Sequence, residues 1–311
     1  MSSENDYTFL RRFYIYQKER FPFLAHGVLI SAFTFSAVSY SRICRGMEGF
    51  IAWQDFLIGI FATITLFFLV RIFDEFKDQE DDRKFRKYLP VPRGLISLKE
   101  LKIIGWVIGI IQVAVIAFYQ LPMLYLYLLV LFYLALMGVE FFVPEWLKKH
   151  QLIYITSHMV IIPLIDIYSS GLDWLLDGAS PHWGIAWFFA VSYMNGLVLE
   201  FGRKLRTPNT EEEGVLSYTK LFGPKKGVWL WIGLMFITMA LAIGATSYAN
   251  YGWLSVGVLV FCFVLCATPG FIFLKSPTQK GSKYMEYASA IWTILMYLTL
   301  GGIPMLKALI W

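Results

Sequence analysis

Charge is what this sequence has least of. Asp, Glu, Lys and Arg make up 16% of its 311 residues, against roughly 25% in a soluble domain. So little polar surface excludes a water-soluble globule of this size. Histidine is scarce, at four residues, and there are only three cysteines, Cys44, Cys262 and Cys266. Three cysteines build no disulfide framework. Cys262 and Cys266 lie four apart in an apolar block without the His or Cys partners that zinc needs, so they read as packing residues. A cleavable signal peptide is not expected either. Residues 1–21 carry Glu4, Asp6, Arg11, Arg12, Lys18, Glu19 and Arg20 and no apolar core. They read instead as a short amphipathic lead-in, with Phe9, Leu10, Phe13 and Tyr14 on the membrane surface.

Apolar residues fill the space that charge leaves, at 58% of the chain. They fall into blocks of roughly 17–23, the length that crosses a hydrocarbon core of about 30 Å. Nine such blocks are visible, near 22–41, 55–73, 102–119, 122–142, 152–172, 183–200, 228–248, 252–273 and 286–308. The expected fold is therefore all-α, a polytopic membrane protein of nine transmembrane helices forming one domain over 1–311. With the N-terminus placed in the cytoplasm, 24 of the 27 Lys and Arg residues fall in cytoplasmic segments, and only Arg42, Arg45 and Lys307 fall outside. That partition follows the positive-inside rule and would be scrambled by one missed span. It also accounts for the net charge of +5 as membrane anchoring. Membrane lipids are the expected surroundings, and no nucleic-acid partner is expected. The localisation read from this is an integral protein of the cell (cytoplasmic) membrane.

Two cytoplasmic connections, 74–101 and 201–227, are long and rich in both signs of charge, and long charged loops on one face of a bundle commonly carry function. In the first, Asp74, Asp78 and Asp82 recur every four residues. If the second helix runs on past residue 73, these carboxylates lie along one face about 6 Å apart. Such a row repels itself unless a cation or opposing bases offset it. Mg²⁺ takes carboxylate oxygens together with substrate phosphates, so the row reads as a platform for Mg²⁺ and a diphosphate. The plainer reading is a solvated helix end paired with Lys77, Arg83 and Lys84, but charge at a membrane boundary is usually functional. Behind it, Pro90 and Pro92 stop the helix, Gly94 permits a turn, and Ser97 with Glu100 has the spacing of a capping box. Arg93 is left to contact phosphate or to snorkel.

Here the chain resembles the UbiA superfamily of intramembrane prenyltransferases. The resemblance rests on Asp74, Asp78 and Asp82 followed by Pro90–Ser97, and on nine spans with acidic loops after the second and sixth. A third point is Trp146-Leu147-Lys148-Lys149-His150, where the family often places bases facing the diphosphate; ordinary membrane anchoring explains Lys148 and Lys149 equally well. The second acidic motif departs from the pattern. Paired Asp residues are absent: Glu200 stands at the helix end where the first is expected, and Lys204 where the second is. Either Glu200 ligates one Mg²⁺ while Arg203 and Lys204 clamp the diphosphate in place of a second ion, or Glu200–Lys204 is a plain ion pair and Glu211–Glu213 supply the ligands. Asn195, on the same helix, faces the cavity in the first reading.

The resemblance implies an Mg²⁺-dependent enzyme acting on an isoprenyl diphosphate at a cytoplasm-facing site, with a lipophilic or aromatic acceptor taking the prenyl group. Asp74, Asp78, Asp82 and Glu200 are the expected catalytic and metal-ligating residues. Arg93, Lys148, Lys149, Asn195, Arg203 and Lys204 are the expected substrate-binding ones. The altered second motif keeps a terpene cyclase, working without acceptor, as the alternative, and a transporter without chemistry as a third. Within the spans, His158 reads as a hydrogen-bonding residue rather than a base, and Asp166 as a group meeting water near the outer end.

Overall fold

In the computed structural model, which describes residues 7–207, 211 and 217–310, every secondary-structure element among them is helical. Among the described residues nine helical stretches are long and apolar enough to cross a membrane. A short helix, α1 (Phe9–Arg20), precedes α2 (Phe23–Cys44) and α3 (Trp53–Lys77), the first two spans. After α4 (Gln79–Phe85) comes the third span, α5 (Leu98–Tyr119). The fourth is α6 (Leu124–Gly138), followed by the short α7 (Pro144–Lys149). The fifth is split into α8 (Gln151–Met159) and α9 (Ile161–Trp174), and the sixth is α10 (Ile185–Lys204). The rest comprises α11 (Tyr218–Phe222), α12 (Pro224–Tyr248), α13 (Trp253–Lys275), α14 (Gln279–Tyr297) and α15 (Ile303–Ile310), with α14 and α15 making one span. The expected all-α, nine-span fold is the one found.

The helix ends follow local chemistry. The Ser97 hydroxyl accepts from the Glu100 backbone at 3.2 Å, and the Glu100 carboxylate accepts from the Ser97 backbone at 2.8 Å. Both halves of the capping box are thus present, worth about 1 kcal/mol. Gly94, at φ +81°, makes the preceding turn that a side chain would strain. The fourth span ends earlier than its apolar run suggests, at Gly138 rather than 142. Glu140, Phe141 and Phe142 all lie in the left-handed region, at φ 48°, 53° and 62°, and a right-handed helix cannot continue through them.

In the bundle, α10 sits at the centre, packed against α9, α12 and α14, while α2 runs between α3, α9 and the final span. Small residues permit this closeness: a Cβ on Gly301 would strike the Ser36 backbone of α2. Helix α1 is not simply a surface lead-in. Leu10 and Tyr14 are exposed, but Tyr16 is buried and Phe13 packs edge-on against Phe68. Three ion pairs bind it to the bundle: Arg12 to Glu100 at 2.7 Å, Arg20 to Glu75 at 2.7 Å, and Glu19 to Arg93 at 2.8 Å.

Candidate active site

The acidic row begins inside α3 and runs through a helix junction. Asp78 ends α3 and starts α4 with φ −87° and ψ 5°. The backbone N–H of Asp78 still bonds the Asp74 carbonyl, and that of Asp82 the Asp78 carbonyl, each at 2.9 Å. The three residues therefore step at helical spacing, as the sequence suggests, but their side chains have different surroundings. Asp74 is partly exposed, with Arg71 at 3.5 Å. The Asp78 carboxylate has no hydrogen bond or ion pair to any described residue. Asp82 is buried and lies 2.5 Å from Arg86. Burial pushes the Asp82 carboxyl above the usual carboxylate range, and Arg86 opposes that push. Next to Asp82 lies Glu75, also buried, held by Arg20 and by Arg71 at 3.1 Å.

Across from this row is the end of α10. Glu200 is bound at 2.6 Å by Arg203 and at 2.6 Å by Lys204. The neighbouring Phe201 stacks on Tyr218 of α11, with ring centroids 4.0 Å apart and planes within 7°. Lys204 lies over the same Tyr218 ring at 5.9 Å. This stack ties the end of the sixth span to the loop that follows it. Arg203 is near enough to Asp74 for their charges to act on each other across the two helices. The structure thus brings together Asp74, Asp78, Glu200, Arg203 and Lys204.

Other expected residues have other partners. Arg93 is held by both carboxylate oxygens of Glu19 and donates to the Tyr88 carbonyl. Lys148 and Lys149 are exposed on α7, and Lys148 pairs with Glu145 of the same helix at 3.5 Å. Asn195 is fully buried, deeper in the bundle. Glu211 accepts from Ser217 at 2.6 Å and Thr219 at 2.7 Å; Glu212, Glu213 and Gly214 lie outside the described residues.

Lys77, in the plainer reading a salt-bridge partner of the acidic run, has its nearest partners on other elements. Its ammonium contacts the Tyr154 hydroxyl, lies 3.2 Å from His158 Nε2 and 3.7 Å from Glu140, and sits over the Tyr154 ring at 4.4 Å. His158 Nδ1 is 2.8 Å from the Tyr154 carbonyl, so Nδ1 carries the hydrogen and Nε2 accepts from Lys77. The left-handed turn at Glu140–Phe142 is what carries Glu140 back to Lys77 and sets Phe141 edge-on to His158 at 5.7 Å. A cavity of about 10 Å³, near the size of one water, lies between Asp74, Lys77, His158 and the apolar Phe73 and Met137. The available signal was the four-residue spacing of Tyr154 and His158, which puts both on one face of α8.

Among the described residues no three His, Cys, Asp or Glu side chains converge as a ready metal site. Asp74 and Asp78 still suit one hard cation completed by phosphate oxygens and water. They are a turn apart, they repel each other, and Asp78 has no competing cation bonded to it. At Glu200 the position opposite is already filled by two basic side chains.

Comparison with known proteins bears on the family and the fold. A sequence profile of the UbiA prenyltransferase family matches residues 32–294. A solved structure from work on digeranylgeranylglyceryl phosphate synthase in membranes superposes with a TM-score of 0.61 at 16% identity, covering 94% of this chain and 99% of the other. At that identity the likeness is one of fold. No curated protein sequence matches the chain.

Proposed function

The chain belongs to the UbiA prenyltransferase family, and we propose that it is an Mg²⁺-dependent intramembrane enzyme that moves a prenyl group from an isoprenyl diphosphate to a lipophilic or aromatic acceptor. The observation that carries this reading is the nearness of Arg203 on α10 to Asp74 on α3, with Lys204 bound to the same Glu200 as Arg203 and Asp78 one turn beyond Asp74. Acids on one side suit Mg²⁺, bases on the other suit phosphate oxygens, and a diphosphate chelating the metal needs both. Asp74 and Asp78 would hold the Mg²⁺, which would supply neutralisation of the charge on the leaving diphosphate.

The remaining work falls to side chains of this chain. Arg203 and Lys204 bind the diphosphate in the place where a second acid pair is usual for the family. Glu200 holds both bases at 2.6 Å and orients them; direct ligation of a metal would require it to give up both ion pairs. Asp82, paired with Arg86, supports the end of the acidic run from the buried side. Lys77, locked between Tyr154, His158 and Glu140, adds positive charge beside Asp74. Apolar helix faces below exclude water from a reacting allylic cation. Under the positive-inside distribution the site opens to the cytoplasm.

Purified protein incubated with Mg²⁺ and geranyl, farnesyl or geranylgeranyl diphosphate tests the reading through pyrophosphate release. Release that depends on an added acceptor supports transfer. A cyclic product formed without acceptor would move the assignment to a terpene cyclase, and no turnover in any combination would favour transport.

A further inference from the structure

Four polar side chains meet at the centre of the bundle, away from the charged mouth. Asp166 of α9, Ser192 and Asn195 of α10 and Tyr297 of α14 are all buried, the first three completely. The Ser192 and Tyr297 hydroxyls are 2.9 Å apart. Asp166 and Ser192 are close enough for a weak side-chain hydrogen bond, as are Asn195 and Tyr297. Yet both carboxyl oxygens of Asp166 and both amide atoms of Asn195 have no partner in hydrogen-bonding geometry. The sequence suggested that Asp166 meets water at the outer end of its span; its complete burial corrects that.

An unpaired buried polar atom is costly, and hydrocarbon surroundings supply no relief. Four such atoms in one place imply a missing polar partner. The backbone supports the same conclusion. The fifth span is interrupted at Val160, before Asp166, and the ninth turns π-helical over Leu298–Gly302, immediately after Tyr297. Such π segments occur frequently at functional sites.

The chemistry of the four groups selects the partner. A phosphate would face the Asp166 carboxyl, and a metal cation would leave the Asn195 amide N–H groups unpaired. A hydroxyl both donates and accepts, so one such group can donate to an Asp166 oxygen and accept from the Asn195 amide at the same time. Along α10, Asn195 and Ser192 precede Glu200 by five and eight residues, about 8 and 12 Å. We propose that Asp166, Ser192, Asn195 and Tyr297 form a binding site for one hydroxyl group, from a lipophilic alcohol or a water molecule, deep beneath the diphosphate mouth. The site stands on its own geometry and does not depend on prenyl transfer.

Thermal unfolding of the full chain in lipid nanodiscs, with farnesol or with the hydrocarbon farnesene as probe, tests this. Farnesol raises Tm by about 2 °C or more, farnesene does not, and the difference vanishes in Asn195→Leu and in Tyr297→Phe. Using both variants keeps the test usable if one fails to fold. That result identifies a ligand hydroxyl. If farnesol and farnesene act alike, a cryo-EM map showing a water between Asp166 and Asn195 supports the site with water as its source. Equal action of the two probes and no density between those side chains overturns the proposal.

Discussion

Asp78 and Asp82 stand four residues apart in one acidic run, and the fold gives them different partners. Asp78 is bonded to no described side chain, whereas Asp82 is buried against Arg86 at 2.5 Å. Asp78→Asn should therefore lower turnover by about 100-fold or more while leaving Tm nearly unchanged. Asp82→Asn should raise Tm near neutral pH, because burial outweighs Arg86 and the fold disfavours the charged carboxyl there, and it should cost turnover far less; parallel Tm and pyrophosphate-release measurements separate the two. Asp82 also has a pH signature. Its folded-state pKa is raised by burial, so the folded chain binds its proton at a pH where the unfolded chain has released it. Stability from this group is thus greatest at acidic pH and falls as pH rises from the ordinary Asp value, near 3.9, through the raised one. The pH–Tm curve of Asp82→Asn should lack that fall, and identical slopes for the two proteins would contradict it.

At the level of elements, apolar block length was enough to place all nine spans, because hydrocarbon thickness sets a length that composition reveals directly. The departures come from single-residue geometry. Nothing in Glu140-Phe141-Phe142 announces a left-handed turn, since these residues ordinarily avoid it. The break before α9 did have a sign in Pro163, which cannot donate to the carbonyl of Met159. Spacing located Asp74 and Asp78 because helical periodicity carries that information, whereas Glu200 was reached through the family resemblance. Spacing did not show that Lys77 bonds to Tyr154, His158 and Glu140, because that depends on those residues arriving from other elements. The turn itself is open to test. Phe142 is 77% exposed and at φ 62°, so Phe142→Gly removes strain and little packing. It should raise stability by about 1 kcal/mol, whereas Phe142→Ala, which keeps the Cβ, should not.

For the whole molecule, the one-sided distribution of Lys and Arg places α1, the acidic run, α7 and the α13–α14 connection on a single face. Single cysteines introduced at Lys84, Lys149 and Thr278 should react with an impermeant reagent only from the cytoplasmic side of sealed vesicles. Cysteines at Glu48 and Asn250 should react only from the other side, and mixed labelling within either group would contradict the topology. On that face Arg203 of α10 lies near Asp74 of α3, and everything proposed about activity depends on that opposition. Its most direct measurement is the binding of farnesyl thiodiphosphate, a slowly reacting analogue, to the purified full chain with and without Mg²⁺. The account predicts Mg²⁺-dependent binding that is lost in Asp78→Asn, and binding weakened at least tenfold in Arg203→Ala and Lys204→Ala even at saturating Mg²⁺. Binding that is indifferent to Mg²⁺ and unchanged in all three variants would contradict it.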